Sequence, residues 1–208
     1  MLRRFTLVTL LLLLTSTVSF AQDRTGKVDI GVNLSAVDPD NGDYDTGFYA
    51  GGTLAYGLSE WLALGIEAGH AEIEPDFGST SSITGGDISA IPLLADIILR
   101  LRTNESLDLY GVVGLGVLFV DSDDISGTVS GVPFNIDVDA DNAFAVKVGG
   151  GADWFLNEHW ILNFEVSYVF AETDIDTTTN VAGLSLPIQL NDVELDYLQI
   201  GGGIKYVF

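Results

Sequence analysis

Large apolar side chains recur at every second residue over most of the chain. No apolar run beyond residue 21 is long enough to cross a membrane as a helix. In residues 160–171, Trp160, Leu162, Phe164, Val166, Tyr168 and Phe170 share one face, and Ile161, Asn163, Glu165, Ser167, Val169 and Ala171 share the other. Residues 197–208 set Leu198, Ile200, Ile204, Tyr206 and Phe208 against Tyr197, Gln199, Gly201, Gly203, Lys205 and Val207. Residues 143–156 oppose Phe144, Val146, Val148 and Trp154 to Ala143, Ala145, Lys147, Gly149, Gly151 and Asp153. A period of two is that of a β-strand, whose successive side chains point to opposite faces. Similar segments begin near Val28, Gly47, Leu62, Ile88 and Leu107, which makes eight strands in all.

The composition of the two faces decides what surrounds them. A soluble β-sandwich or lipocalin-like barrel buries its apolar face and shows water a polar one. Here the polar face is rich in Gly, Ala and Ser with few, mixed charges, which suits the inside of a narrow barrel. The bulky face then needs another apolar medium. A closed barrel in lipid supplies it, because closure satisfies every strand N–H and C=O without water. Short turns at Leu58–Trp61, Thr103–Ser106 and Leu156–His159 alternate with long polar connections at about 38–46, 75–87, 121–141 and 173–192. That alternation is expected when all short turns lie on one side of a membrane. Trp61, Trp154 and Trp160 flank short turns, where an interfacial girdle lies, and the chain ends on Tyr206-Val207-Phe208. The sequence therefore predicts an all-β fold, an eight-stranded antiparallel up-and-down transmembrane β-barrel.

Residues 1–21 carry Arg3 and Arg4, the apolar stretch Leu7 to Leu14 and a small-x-small site at Ser19-Phe20-Ala21. This is the pattern of a signal peptide, expected to be removed after Ala21 and to leave residues 22–208 as one barrel domain of the bacterial outer membrane. The whole chain has 8 basic and 30 acidic residues, and so few cations argue against nucleic-acid binding. With no Cys, disulfides, thiolate metal sites and a Cys nucleophile are excluded.

The segment Asp141 to Thr178 joins a Gly-rich strand, the turn Phe155-Leu156-Asn157-Glu158-His159-Trp160, a strand ending Tyr168-Val169-Phe170, and Thr173-Asp174-Ile175-Asp176-Thr177-Thr178. With Ile91-Pro92-Leu93, the run Tyr110 to Gly116 and the terminal Phe208, it resembles the OmpW/AlkL-like small outer-membrane barrels. The resemblance implies an eight-stranded barrel that helps small, mostly hydrophobic molecules cross the outer membrane passively and without a cofactor. The very acidic loops and the first long loop depart from the family pattern.

Strand parity sorts the inward residues by height. An apolar outer vestibule is expected from Tyr49, Pro92, Leu118, Val120, Val169 and Tyr197, with Val37 and several alanines. A polar plug below it is expected from Glu67, Asp96, Arg100, Arg102, Asp108, Lys147, Asp153, Glu165 and Lys205, with Asp29 near the base. Buried charges of this kind survive when paired. Pro92 has no N–H to give a ladder and is the candidate weak point for sideways release of a solute into the bilayer.

The outer loops and strand ends contain 20 acids, with no Lys or Arg among them. Asp137, Asp139 and Asp141 have the alternation of a calcium loop, but Asn142 and Val148 stand where an EF-hand needs Gly and Glu. An EF-hand is rejected, and weak divalent-cation binding to loops or anionic headgroups is kept as an expectation. His70 and His159 are the only histidines and have no persuasive triad partners in the sequence, so an enzyme is not expected. Expected partners are outer-membrane lipids and small hydrophobic solutes, with the chain a monomer or small oligomer. The alternative function is a structural or surface-interaction barrel that transports nothing; a periplasmic ligand-binding barrel is a third reading.

Overall fold

The computed structural model describes residues 23–40, 45–73, 83–84, 86–129, 132–181 and 184–208. The expected signal peptide lies outside these residues, as do the loop acids Asp43, Glu74 and Asp76. In chain order the strands are β1 (Val28–Pro39), β2 (Gly47–Gly57), β3 (Leu62–Ile73), β4 (Ile83–Thr84), β5 (Ile88–Asn104), β6 (Leu107–Ser122), β7 (Ile125–Val129), β8 (Val132–Ala140), β9 (Ala143–Phe155), β10 (Trp160–Val181), β11 (Leu184–Glu194) and β12 (Tyr197–Val207). Eight of them form the wall in the order β12-β1-β2-β3-β5-β6-β9-β10, and β10 pairs back to β12 to close the barrel. Every wall pairing is antiparallel; β12 runs along β1 from Asp29 opposite Val207 to Pro39 opposite Tyr197, and along β10 from Trp160 opposite Tyr206 to Val169 opposite Tyr197.

All eight expected strands are present, starting where the alternation starts. Three of the stretches expected as polar connections contain strand instead, 75–87 only at β4. Above the wall β10 continues to Val181, pairing with β11 on one side and β8 on the other, and β8 pairs with β7, which pairs with β4. The reason is local. Residues 173–179 alternate Thr and Ile with Asp and are β-branched at most positions, so they have strand propensity although they are too polar to read as a buried strand.

The short turns share a side-chain acceptor that closes them. Ser59 Oγ accepts from Leu62 N–H (3.1 Å), Asn104 Oδ1 from Ser106 N–H (2.9 Å), and Asn157 Oδ1 from both His159 N–H and Trp160 N–H (2.9 Å each). Asn and Ser mimic a backbone turn in this way, which is why one turn pattern occurs three times.

The wall is inside out relative to a soluble protein. Leu34, Leu54, Ile66, Ile97, Leu115 and Phe164 are exposed on the outer surface, whereas Glu67, Asp96, Lys147 and Asp153 are at most 5% exposed. At the end that carries the short turns, Trp160 meets Tyr206 edge-on (5.0 Å between centroids) and Tyr206 meets Phe208 (4.8 Å), forming an aromatic band. Val113 faces outward between Ile97 and Val148 at mid-wall. Val113→Arg is expected to destabilise the barrel by about 2–4 kcal/mol in urea titrations from lipid vesicles; a cost near zero would mean that this face does not touch hydrocarbon.

Candidate functional site

The bore is filled in layers, and the lowest begins outside the strands. Arg24 precedes β1, and the backbone around it is tied to the end of the neighbouring β2 by Gly26 N–H to Gly57 O (2.8 Å) and Gly57 N–H to Lys27 O (3.0 Å). Gly26 adopts a φ of 75°, which favours glycine and lets the segment turn inward. The guanidinium of Arg24 enters the bore, is 2% exposed, and bonds to Asp29 and to Asp153 (2.7 Å). Arg100 joins the same Asp29 (2.5 Å), and Lys205 joins the same Asp153 (2.9 Å). Asp108 is buried in this layer too.

Above it one ammonium serves three carboxylates. Lys147 bonds to Glu67 and lies 3.4 Å from both Asp96 and Glu165. Two phenols add donors: Tyr49 Oη–H bonds to Glu67 (2.8 Å) and Tyr110 Oη–H to Glu165 (2.7 Å). Asn163 ties the layers together by donating to Tyr110 Oη and to Asp153 (2.8 Å each). Around these charges, between Asn33, Glu67, Asp96 and Lys147, about 30 Å³ is open to water. One water needs roughly 10–15 Å³ of such space, so isolated molecules fit among the charges.

The outer half of the bore is apolar. Val37, Tyr49, Leu94, Leu118, Val169 and Tyr197 pack with Ala71, Ala90, Ala143, Ala145 and Ala171, and Ile73, Val120 and Leu195 cover them from outside. At its outer end this cluster borders a small recess between Pro39, Ile73, Ile88, Leu118, Leu195 and Tyr197, with about 30 Å³ of free space, the same as around the charges below. Pro92 points inward and is buried within the height of the cluster, between Ala90 and Leu94 on β5 and opposite Leu118 on β6. The β3–β5 ladder is interrupted there without a change of register. β3 and β5 pair from Leu62 opposite Leu99 to Ala68 opposite Leu93, and again at Ala71 opposite Ala90; the two rungs between, where Gly69 would face Pro92, are missing. Proline brings no N–H to a ladder, which accounts for the break.

All six expected vestibule residues thus lie in or against the apolar cluster, and Glu67, Asp96, Arg100, Lys147, Asp153, Glu165 and Lys205 lie together in the charged layers. Arg102 does not. It pairs with Asp108 beside a register shift between Arg102 and Asn104, and its side chain is exposed at the rim. Arg24 fills the role expected of it. Sequence reasoning missed Arg24 because it belongs to no strand; the only signal was the surplus of inward carboxylates near the base.

The loop acids among the described residues do not converge into a site. Among the described residues, no group of three or more His, Asp or Glu is placed to hold a metal. Asp137 accepts from Asn135 Nδ2 (2.6 Å), Asp141 lies between β8 and β9, and the side chain of Asp139 is outside what the structure describes. His70 is exposed on the outer face beside Glu72 (3.1 Å), and His159 stacks on Tyr206 (5.4 Å) in a short turn.

Lys147 is the part of the upper layer that cannot be lost cheaply, since without it three carboxylates share a buried space with no cation. Lys147→Met is expected to cost about 3–5 kcal/mol of stability in urea titrations. A loss below about 1 kcal/mol, the ordinary worth of an exposed pair, would mean that this layer is hydrated and open.

Comparison with known proteins agrees with this architecture. A family model described as outer membrane protein beta-barrel domain matches residues 7–208. The crystal structure of the outer membrane protein OprG from Pseudomonas aeruginosa is similar with a TM-score of 0.66 at 18% identity, covering 91% of this chain and 99% of that one. The outer membrane protein AlkL, solved in DMPC bilayers, is similar with a TM-score of 0.54 at 21% identity, covering 93% and 95%. At these identities the likeness is one of fold. The uncharacterized outer-membrane protein y4mB of Sinorhizobium fredii is 33% identical over 72 residues, a match that spans 35% of this chain and 30% of that protein. The chain therefore belongs to the outer membrane protein beta-barrel domain family, with the fold of the OmpW/AlkL-like small barrels, and is a protein of the bacterial outer membrane.

Proposed function

We propose that the barrel lets small hydrophobic molecules cross the outer membrane passively, accepting them in the apolar cluster and releasing them sideways into the bilayer at the Pro92 gap. The observation that carries this reading is the break in the β3–β5 ladder, which lies within the height of the apolar cluster. An apolar solute gains from burial among Leu118, Val169 and Tyr197. To continue straight down it must part Lys147 from its carboxylates, at a cost no apolar contact returns. Leaving through the wall into hydrocarbon involves no such loss. The reading contains no chemical step, in keeping with two histidines far apart at opposite ends of the barrel.

Uptake by proteoliposomes separates this function from a structural or surface-interaction role. A slender apolar solute is expected to enter faster than through lipid alone, while a sugar of similar size is excluded. No enhanced passage of either solute would favour the structural role. Pro92→Val offers β3 a donor and is expected to slow apolar uptake about tenfold, the worth of a restored hydrogen bond, with the barrel still folded. Unchanged uptake would remove the gap from the path.

A further inference from the structure

The bore contains one three-part device twice, and the two copies differ in the wall behind them. Tyr110 lies over Gly151, where an added Cβ would come within 2.5 Å of its ring, and donates to Glu165 (2.7 Å). Tyr49 lies over Gly51 and Gly69, where an added Cβ would fall within 2.1 Å and 2.4 Å of ring atoms or the hydroxyl, and donates to Glu67 (2.8 Å). Both rings need glycine beneath them. Behind Tyr110 the wall is whole, because Gly151 is paired with Tyr110 on one side and Glu165 on the other. Behind Tyr49 it is not. Gly69 is paired with Gly51 on β2, but its other side faces the missing rungs at Pro92.

We propose that Tyr49 is the movable gate of the sideways path: its ring covers the inner side of the Gly69–Pro92 gap while its hydroxyl is bonded to Glu67, and an apolar solute no wider than that ring passes when the ring swings away. The inference rests on the passage reading above and names the gate and the size class of that same path. Tyr49 is fully buried and belongs to the apolar cluster, so a solute taken up there touches the ring directly. A sugar does not enter such surroundings, because its hydroxyls would lose water without finding partners. The latch is anchored from below. Glu67 is also bonded to Lys147, so the carboxylate stays in place when the phenol leaves and can receive it again. With the ring displaced, Gly69 offers no side chain and Pro92 no N–H to close the opening.

The test combines amide hydrogen exchange of residues 68–71 in lipid nanodiscs with apolar uptake by proteoliposomes. Tyr49→Phe keeps the ring and removes the latch; exchange is expected to rise about tenfold, the worth of one hydrogen bond to a charged group. Tyr49→Ala removes the ring and is expected to raise it further. Gly51→Ala, which pushes the ring from its seat without touching the gap, is expected to act in the same direction. Tyr110→Phe breaks the twin bond and is expected to leave these amides unchanged. Apolar uptake rising in step with exchange supports the gate. Exchange unchanged in Tyr49→Phe and Tyr49→Ala overturns it. Faster exchange with no apolar uptake by any form, wild type included, keeps the ring as the seal of the gap and overturns the passage reading instead.

Discussion

In hydrocarbon there is no water to satisfy a peptide group, so each strand must find a partner on both sides. That requirement makes β12 return to both β1 and β10 and leaves the wall without an edge. β10 serves twice, pairing with β9 and β12 within the wall and with β8 and β11 above it, so the outer sheet grows directly out of the barrel. Against that demand the missing rungs beside Pro92 stand out, because a residue without an N–H sits there in mid-strand.

Closure also dictates the chemistry of the bore. Eight strands enclose a space that side chains must fill, and charged ones are tolerated there when each finds an opposite. The lower layer is balanced: Arg24, Arg100 and Lys205 stand among Asp29, Asp108 and Asp153. The upper layer has Lys147 alone against Glu67, Asp96 and Glu165, and the phenols of Tyr49 and Tyr110 supply further donors. Two carboxylates thereby depend on tyrosines whose rings reach into other parts of the bore. This ties the apolar cluster to the salt bridges, so that a change in one is felt by the other.

Much of this was legible in the sequence because a strand's period is two, and parity carries without error along any ladder that has no bulge. The assignments of Tyr49, Lys147 and Tyr197 to the interior needed nothing more. Arg102 failed where that reasoning must fail, beside a register shift at the short turn between β5 and β6. Arg24 was invisible for a different reason: its place is set by backbone hydrogen bonds between Gly26, Lys27 and Gly57, which leave no pattern in composition. The strand character of residues 173–181 was hidden by polarity, since hydrophobic alternation reports burial and this part of β10 extends beyond the wall to pair with β8 and β11. Pro92 could be singled out from its missing N–H together with the family resemblance, whereas Tyr49 as the cover of the gap required knowing which glycines lie beneath the ring.

The most direct measurement of the inside-out arrangement uses the absence of cysteine from the chain. Single nitroxide labels at outward Val113 and Phe164 and at inward Val112 and Ser167, in lipid, are exposed to oxygen, which concentrates in hydrocarbon, and to a water-soluble paramagnetic complex. The account predicts that both outward labels respond to oxygen and not to the complex, and that the inward labels respond weakly to either. Outward labels relaxed by the aqueous complex, or shielded from both reagents as in a packed protein core, would contradict it.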